Sequence, residues 1–387
     1  MENFLIFLNK CPSLKEVIGY NQLTKRPSMK KNSKFAPDIQ IKNNGFKDLD
    51  DKIISQLRAY LASTYSAEFN KDIIFDAVLA YSLSNAFNPL KDSLERYQKG
   101  WDKTKRLENW LIEICGAVYA NEDEKKYLQA VGTKVLISAV ARVFKPGCKV
   151  DTVLILEGNQ GIKKSSLVTE LALGYGLEFT ERFDKIKECV SDMLGKWIIE
   201  LPELKSLQGD QDTIKSFLSK REDTVRLSYA RSSEDHPRSS IFIGTTNNSE
   251  YLKDQTGNRR FFPIKITKCD LNKLKTVLKQ LWGEAVHLFK QGETWWFDES
   301  NADDNLILET AHQLQTSKIF KDEKEEEVKE YLESNNLNIV NSKDIWIKVF
   351  GGTNEFKKSD QMRISTILKN IGFERKIIKG KRNWVKK

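Results

Sequence analysis

The sequence predicts an α/β fold whose sheet follows a helical N-terminal region and precedes a small, basic α+β segment. Three observations carry this. Apolar residues recur at helical spacing between residues 48 and 143, the period then switches to a β-rich run at residues 152–157, and that run meets a glycine-containing loop before a helical pattern resumes. The 387 residues are 40% hydrophobic and 30% charged, with 20 Gly and 8 Pro, which excludes wholesale disorder, collagen-like repeats and a membrane-spanning bundle. At roughly 150 residues per domain, this length suits two to three domains.

Residues 1–47 read as an N-terminal segment and linker. The run Phe4-Leu5-Ile6-Phe7-Leu8 follows Glu2 and is too short for the apolar stretch of a signal peptide, so a cytoplasmic protein without a membrane partner is expected. Residues 25–34 are basic, contain Pro27 and lack apolar periodicity, which marks a linker. Residues 48–130 read as a helical domain, from Ile53, Ile54, Leu57 and Leu61, then Ile74, Ala77, Val78 and Tyr81, then Leu107, Trp110, Leu111 and Ile114. Residues 131–317 form the expected core, and residues 318–387 a separate C-terminal domain that begins with the acid-rich stretch 321–330. Between residues 341 and 387, thirteen Lys and Arg oppose four Asp and Glu, an excess of nine that equals the formal net charge of +9 for the whole chain. The remainder is neutral on balance, so any polyanion is expected to meet the C-terminal end. Five dispersed cysteines without a CxxC pair and only three histidines exclude a local zinc spacing and suit a reducing compartment.

The loop after the β-rich run reads Gly158-Asn159-Gln160-Gly161-Ile162-Lys163-Lys164-Ser165-Ser166 and matches G-x-x-x-x-G-K-[ST] at Gly158, Lys164 and Ser165. Such a P-loop wraps backbone N–H groups around anionic oxygens, reaches the β- and γ-phosphates with its lysine and holds Mg²⁺ with its hydroxyl, so ATP and Mg²⁺ are the expected ligands. Lys163 departs from the pattern by replacing the glycine before the lysine; a right-handed helical backbone there would turn its side chain away from the nucleotide. Taken alone, the segment equally suits a basic strand–helix turn.

Three further elements follow in order. Residues 196–204 form an apolar strand ending in carboxylates, with Glu200 as the metal-side acid beside Ser165 and Glu203 as the candidate base. Residues 240–247 form a strand ending in small polar residues, where Asn247 could orient the lytic water or the γ-phosphate. Arg259 and Arg260 follow a turn glycine and suit stabilisation of charge on a transferring phosphoryl group.

The stretch from about residue 88 to 298 resembles the virulence-associated protein E family of phages and genomic islands, itself similar to superfamily 3 replicative helicases and primase-helicases. The segments 140–147, 154–165, 197–203, 217–223 and above all Gly244-Thr-Thr-Asn247 with Tyr251-Leu-Lys-Asp-Gln-Thr-Gly-Asn-Arg-Arg-Phe261 carry the resemblance. It implies an AAA+-like P-loop NTPase core that assembles into a homo-oligomeric ring, expected as a hexamer, with ATP between subunits and single-stranded DNA in the channel. By position, Lys164 and Ser165 become nucleotide and magnesium residues, Glu200 and Glu203 the acidic pair, Asn247 the sensor, and Arg259 or Arg260 the arginine finger. No carboxylate triad with a histidine precedes the match, so no primase chemistry is expected and a separate primase is a candidate partner.

In helicases of this type, a hairpin between the acidic and sensor strands touches the strand being pulled, which makes Arg226, Arg231, His236 and Arg238 the DNA candidates; a plain structural hairpin is the alternative. At the C-terminus, two short helices and a basic hairpin turning at Lys379-Gly380-Lys381 suggest a winged helix that holds duplex DNA through Arg363, Lys369, Lys381 and Arg382. The expected function is an ATP-dependent DNA helicase or replication-initiation ATPase of a mobile element. The alternative is a DNA-binding replication or regulatory factor that hydrolyses ATP poorly.

Overall fold

The computed structural model describes residues 2–11, 14–41, 45–180, 186–204, 211–225, 233–252, 258–319, 322–353, 355–378 and 380–386. The chain divides into two compact units, one of residues 1–248 and 259–312, the other of residues 249–258 and 313–387.

The first unit opens with α1 (Glu2–Lys10), β1 (Ile18–Asn21), β2 (Arg26–Met29), β3 (Lys47–Asp48), α2 (Asp51–Tyr65) and α3 (Lys71–Ser84). The strands pair antiparallel in the order β1-β2-β3. Phe4, Leu8, Met29, Phe35, Ile53, Leu57, Ile74 and Val78 share one apolar core. This overturns the linker reading of residues 25–34: Ser28 and Met29 are buried strand residues, and Ser28 Oγ donates to Asp48 Oδ1. Asp50 starts α2 by accepting from the Ile53 N–H, and Asn70 starts α3 by accepting from Asp72, as helix caps do.

Next come α4 (Pro89–Lys99), α5 (Trp110–Glu113) and α6 (Glu122–Phe144). Asn121 caps α6, and Glu122, Asp123 and Glu124 set negative charge against the positive end of its dipole. By length and composition α6 could cross a membrane, but 78% of its apolar window is buried inside the protein, which makes it a core helix. The expected boundary at 130/131 falls within α6, so it does not separate two domains.

The sheet is built from β4 (Val153–Glu157), α7 (Lys164–Leu171), β5 (Gly176–Glu178), α8 (Ile186–Met193), β6 (Ile198–Pro202), α9 (Gln211–Ser219), β7 (Glu222–Val225), β8 (Glu234–Pro237), β9 (Ile241–Thr246) and β10 (Phe261–Lys265). Five strands run parallel in the order β10-β4-β9-β6-β5, while β7 and β8 form a separate antiparallel hairpin. Every residue of β4 and β9 is buried, as expected of a parallel sheet covered on both faces. The helix α10 (Leu271–Gln291) packs against α4, α6 and α7. The rings of Trp197 and Trp282 lie 4.4 Å apart, and their indole N–H groups donate to Ala139 O and Leu171 O, so neither is buried with an unmet donor.

The helix α11 (Ala302–Ser317) carries the chain into the second unit, which holds α12 (Glu325–Ser334), β11 (Ile339–Val340), α13 (Ser342–Lys348), α14 (Lys358–Asn370), β12 (Phe373–Ile378) and β13 (Lys381–Lys386). Its strands pair antiparallel in the order β11-β13-β12. Val328, Leu332, Ile345, Ile364, Ile367, Leu368 and Trp384 form its core. Residues 249–252 are tied into this unit where Tyr251 and Leu252 donate backbone N–H groups to Lys318 O, both at 3.0 Å.

Candidate functional site

Strand order in the parallel sheet creates the site. From β4 the chain crosses toward β5 at one edge, whereas from β9 it crosses to β10 at the other, so the loops leaving β4 and β9 part in opposite directions. A crevice at the carboxyl ends of the strands is where such sheets take ligands.

The loop leaving β4 needs two of its glycines. A Cβ on Gly158 would lie 2.5 Å from Ile266 O, and Gly161 has φ +84°. Asn159, Gln160 and Gly161 are exposed, Gly158 and Ile162 half-buried, and Lys163 exposed. Lys163 has φ 70°, ψ 34° and caps α7 without a side-chain bond. The right-handed backbone expected there is therefore corrected: the position keeps a left-handed conformation that favours glycine, with lysine occupying it. The first N–H groups of a helix lack intrahelical acceptors, so the start of α7 presents donors at this loop, flanked by the exposed Ser165 and Ser166.

Lys164 is buried, at 8% exposure, and its Nζ donates to Gly158 O at 2.7 Å, Asn159 O at 3.0 Å and Asn247 Oδ1 at 2.7 Å. Burial pulls its pKa below the usual lysine value, against the opposing charges of Glu203, Cys269 and Glu200. Asn247 Nδ2 donates in turn to Glu203 Oε1 at 2.9 Å. A second branch runs alongside: Ser165 Oγ and Thr245 Oγ1 each donate to Glu200 Oε1 at 2.7 Å. Five sequence-predicted residues, Lys164, Ser165, Glu200, Glu203 and Asn247, thus meet at the ends of three adjacent strands. Thr245 was missed, although its place in the small polar end of β9 was the available signal. Among the described residues no group of three or more His, Cys, Asp or Glu could hold a metal ion. The Ser165 hydroxyl and the Glu200 carboxylate are oxygen donors of the kind that hard cations take.

Arg259 is exposed, whereas Arg260 is half-buried and donates from Nε to Ser219 Oγ at 2.8 Å. Arg226 and Arg231 lie outside the described residues. His236 and Arg238, expected as DNA contacts, are corrected: they are 6% and 4% exposed. Arg238 donates to both Asp223 carboxylate oxygens, at 2.6 and 2.9 Å, and to Phe217 O, with its guanidinium 4.4 Å from the Phe217 ring centroid. Arg142, 1% exposed, donates to the carbonyls of Val150, Lys220 and Arg238 beside it. The hairpin base is thus a buried polar cluster. In the second unit, Lys369 and Arg382 are exposed, and the Lys381 side chain lies outside the described residues. Arg363 is less free than expected, because Nε and Nη2 donate to Asp322 at 2.6 and 2.8 Å.

Residues 94–317 match the family described as virulence-associated protein E-like domain. No curated protein matches the chain. Among solved structures, two apo structures of the NrS-1 C-terminal region (305–718) are similar at 11% and 12% identity with TM-scores of 0.41, covering 95% of this chain and of theirs. A third structure of that region has 12% identity and a TM-score of 0.38.

Proposed function

Because the chain belongs to the virulence-associated protein E-like domain family over more than half its length, we propose that it is an ATP-dependent DNA helicase or replication-initiation ATPase of a phage or other mobile element. The observation that carries this reading is the double branch in which Lys164, Asn247 and Glu203 form one hydrogen-bonded line and Ser165, Glu200 and Thr245 the other. A buried ammonium, a free helix start, a hydroxyl and a carboxylate on one crevice fit a magnesium nucleotide.

In this reading the loop amides and Lys164 hold the phosphates, exchanging the lysine's carbonyl partners for phosphate oxygens. Ser165 and Glu200 would hold Mg²⁺, which would supply neutralisation of phosphate charge. Glu203 takes a proton from the attacking water, and Asn247, bonded to that carboxylate, fixes its orientation. Arg259 serves as the finger to a neighbouring protomer in a homo-oligomeric ring, since Arg260 is engaged by Ser219. Single-stranded DNA lies in the channel of that ring, a hexamer on this reading, and duplex DNA meets a winged-helix-like second unit through Lys369 and Arg382. A separate primase is the expected partner.

The test compares nucleotide binding and ATPase rate, with and without single-stranded DNA, in the wild type, Lys164→Ala and Glu203→Gln. Lys164→Ala loses binding. Glu203→Gln binds but turns over about 10²-fold or more slower, the scale of a lost general base. Unchanged turnover in Glu203→Gln would refute the assignment. The second reading, a DNA-binding replication factor that hydrolyses poorly, is favoured by the left-handed Lys163, and a wild type that binds DNA but is inert toward ATP would select it.

A further inference from the structure

A row of aromatic rings lies on the first unit, outside the crevice. Phe144 at the end of α6 is 5.5 Å from Phe289 near the end of α10, Phe289 is 5.8 Å from Trp295, and Trp295 is 4.9 Å from Trp296, the two indoles edge to face. The last ring is open: Trp296 is 47% exposed. Three ammonium groups stand over the other rings. Lys145 Nζ is 5.4 Å from the Phe289 centroid and 5.7 Å from that of Trp295, while Lys91 and Lys290 approach Phe144 at 5.3 and 5.8 Å. Lys145 and Lys290 are exposed. Lys290 donates to the neutral Gln98 Oε1 at 2.8 Å, and among the described residues none of the three lysines is paired with a carboxylate.

The platform is fixed before any ligand arrives. Trp295 Nε1 donates to Lys149 O at 2.9 Å, Lys134 Nζ donates to Thr294 Oγ1 at 2.9 Å, and the Phe297 ring stacks at 5.2 Å on Phe262, a buried residue of β10. Few rotamers remain to be lost on binding. Lys149 lies four residues before β4 begins and Gly158 follows its last residue, so the platform borders the amino end of a strand about 16 Å long and the Lys164 crevice its carboxyl end. They are separate places.

Charge outside residues 341–387 balances, yet lysines collect here beside open aromatic surface. Ammonium groups attract phosphates, and an indole face takes any base, since every base has a π-face. A duplex keeps its base faces stacked inside; a single strand can offer one. A second copy docked face to face would set lysines against lysines. We propose that this platform binds single-stranded nucleic acid, with a base stacked on Trp296 and phosphates held by Lys145 and Lys290. These residues are distinct from the hairpin and C-terminal residues named above, and they bind whether or not the Lys164 crevice hydrolyses ATP.

The test uses the full chain without nucleotide. Thymidine and uridine oligomers carrying an iodinated base are irradiated with the protein, cross-linked peptides are mapped by mass spectrometry, and anisotropy titrations at several salt concentrations give affinities. The expected cross-link falls on the peptide bearing Trp295 and Trp296. Trp296→Ala weakens binding roughly tenfold at an unchanged salt slope, and Trp296→Phe, which keeps a ring, retains most of the affinity. Lys145→Gln with Lys290→Gln weakens binding and flattens the slope of log K against log salt by about 0.7 per lost phosphate contact. Whichever oligomer shows these effects supports the site and names the sugar it accepts. Cross-links confined to other peptides, with affinity unchanged in Trp296→Ala, overturn the site and leave the ATPase reading standing. Loss of self-association in Trp296→Ala by ultracentrifugation, with oligomer affinity unchanged, makes the platform a protein contact and also overturns the proposal. A chain inert toward ATP that still yields the Trp296 cross-link upholds the platform while the ATPase reading fails.

Discussion

Lys163 adopts φ 70° on an exposed loop, and Glu203 and Leu204 follow β6 with φ 49° and 50°, so three non-glycine residues in the loops after β4 and β6 hold left-handed backbone. Such strain persists only where its surroundings impose it, and it gathers at functional sites. For Lys163 the strain is roughly 1–2 kcal/mol. Glycine relieves it but adds back about 0.5–1 kcal/mol of unfolded-chain entropy. Lys163→Gly is therefore expected to raise stability by about 0–1.5 kcal/mol, whereas the β-branched Lys163→Val lowers it by about 1 kcal/mol or more, both read from thermal unfolding. The sequence showed that Lys163 occupies a glycine slot. It could not show which backbone region the lysine adopts, because that is fixed by the closure of the loop between β4 and α7.

At the scale of elements, the hairpin of β7 and β8 stands on the Asp223–Arg238 pair, whose side chains are 5% and 3% exposed. Removing one partner strands the other in a dry environment, which costs about 3–5 kcal/mol. Arg238→Met is thus expected to lower stability by that order in urea unfolding, and Asp223→Leu with Arg238→Met to recover much of the loss. His236 and Arg238 suggested DNA contacts because four of the five residues from Glu234 to Arg238 carry polar side chains. Pairing decides otherwise: Asp223 sits opposite His236 across the hairpin and reaches Arg238, a relation that appears only once the register is known. Three of the five parallel strands, β4, β6 and β9, were legible because buried apolar runs bounded by glycine and polar ends have few other solutions; β5 and β10 were not read as strands. Linker-like residues 25–34 were misread because their lysines and Pro27 conceal two inward residues, Ser28 and Met29.

For the molecule as a whole, charge and candidate chemistry are divided. The excess of nine positive charges in residues 341–387 lies in the second unit, and the crevice residues lie in the first. Lys369→Glu and Arg382→Glu are expected to weaken duplex binding at every sequence and to flatten the slope of log K against log salt by about 1 per lost phosphate contact, while DNA-free ATPase stays unchanged. Titrations at several salt concentrations measure both. Point changes are the sound instrument here, for a reason of connectivity. The chain leaves the first unit directly after Asn248, Tyr251 and Leu252 bond to Lys318 in the second, and it re-enters the first at Arg259. The basic unit is accordingly sewn in at three points rather than appended as a tail. A stop codon after residue 312 would remove Lys318 and so deprive Tyr251 and Leu252 of the carbonyl that accepts both of their backbone N–H groups.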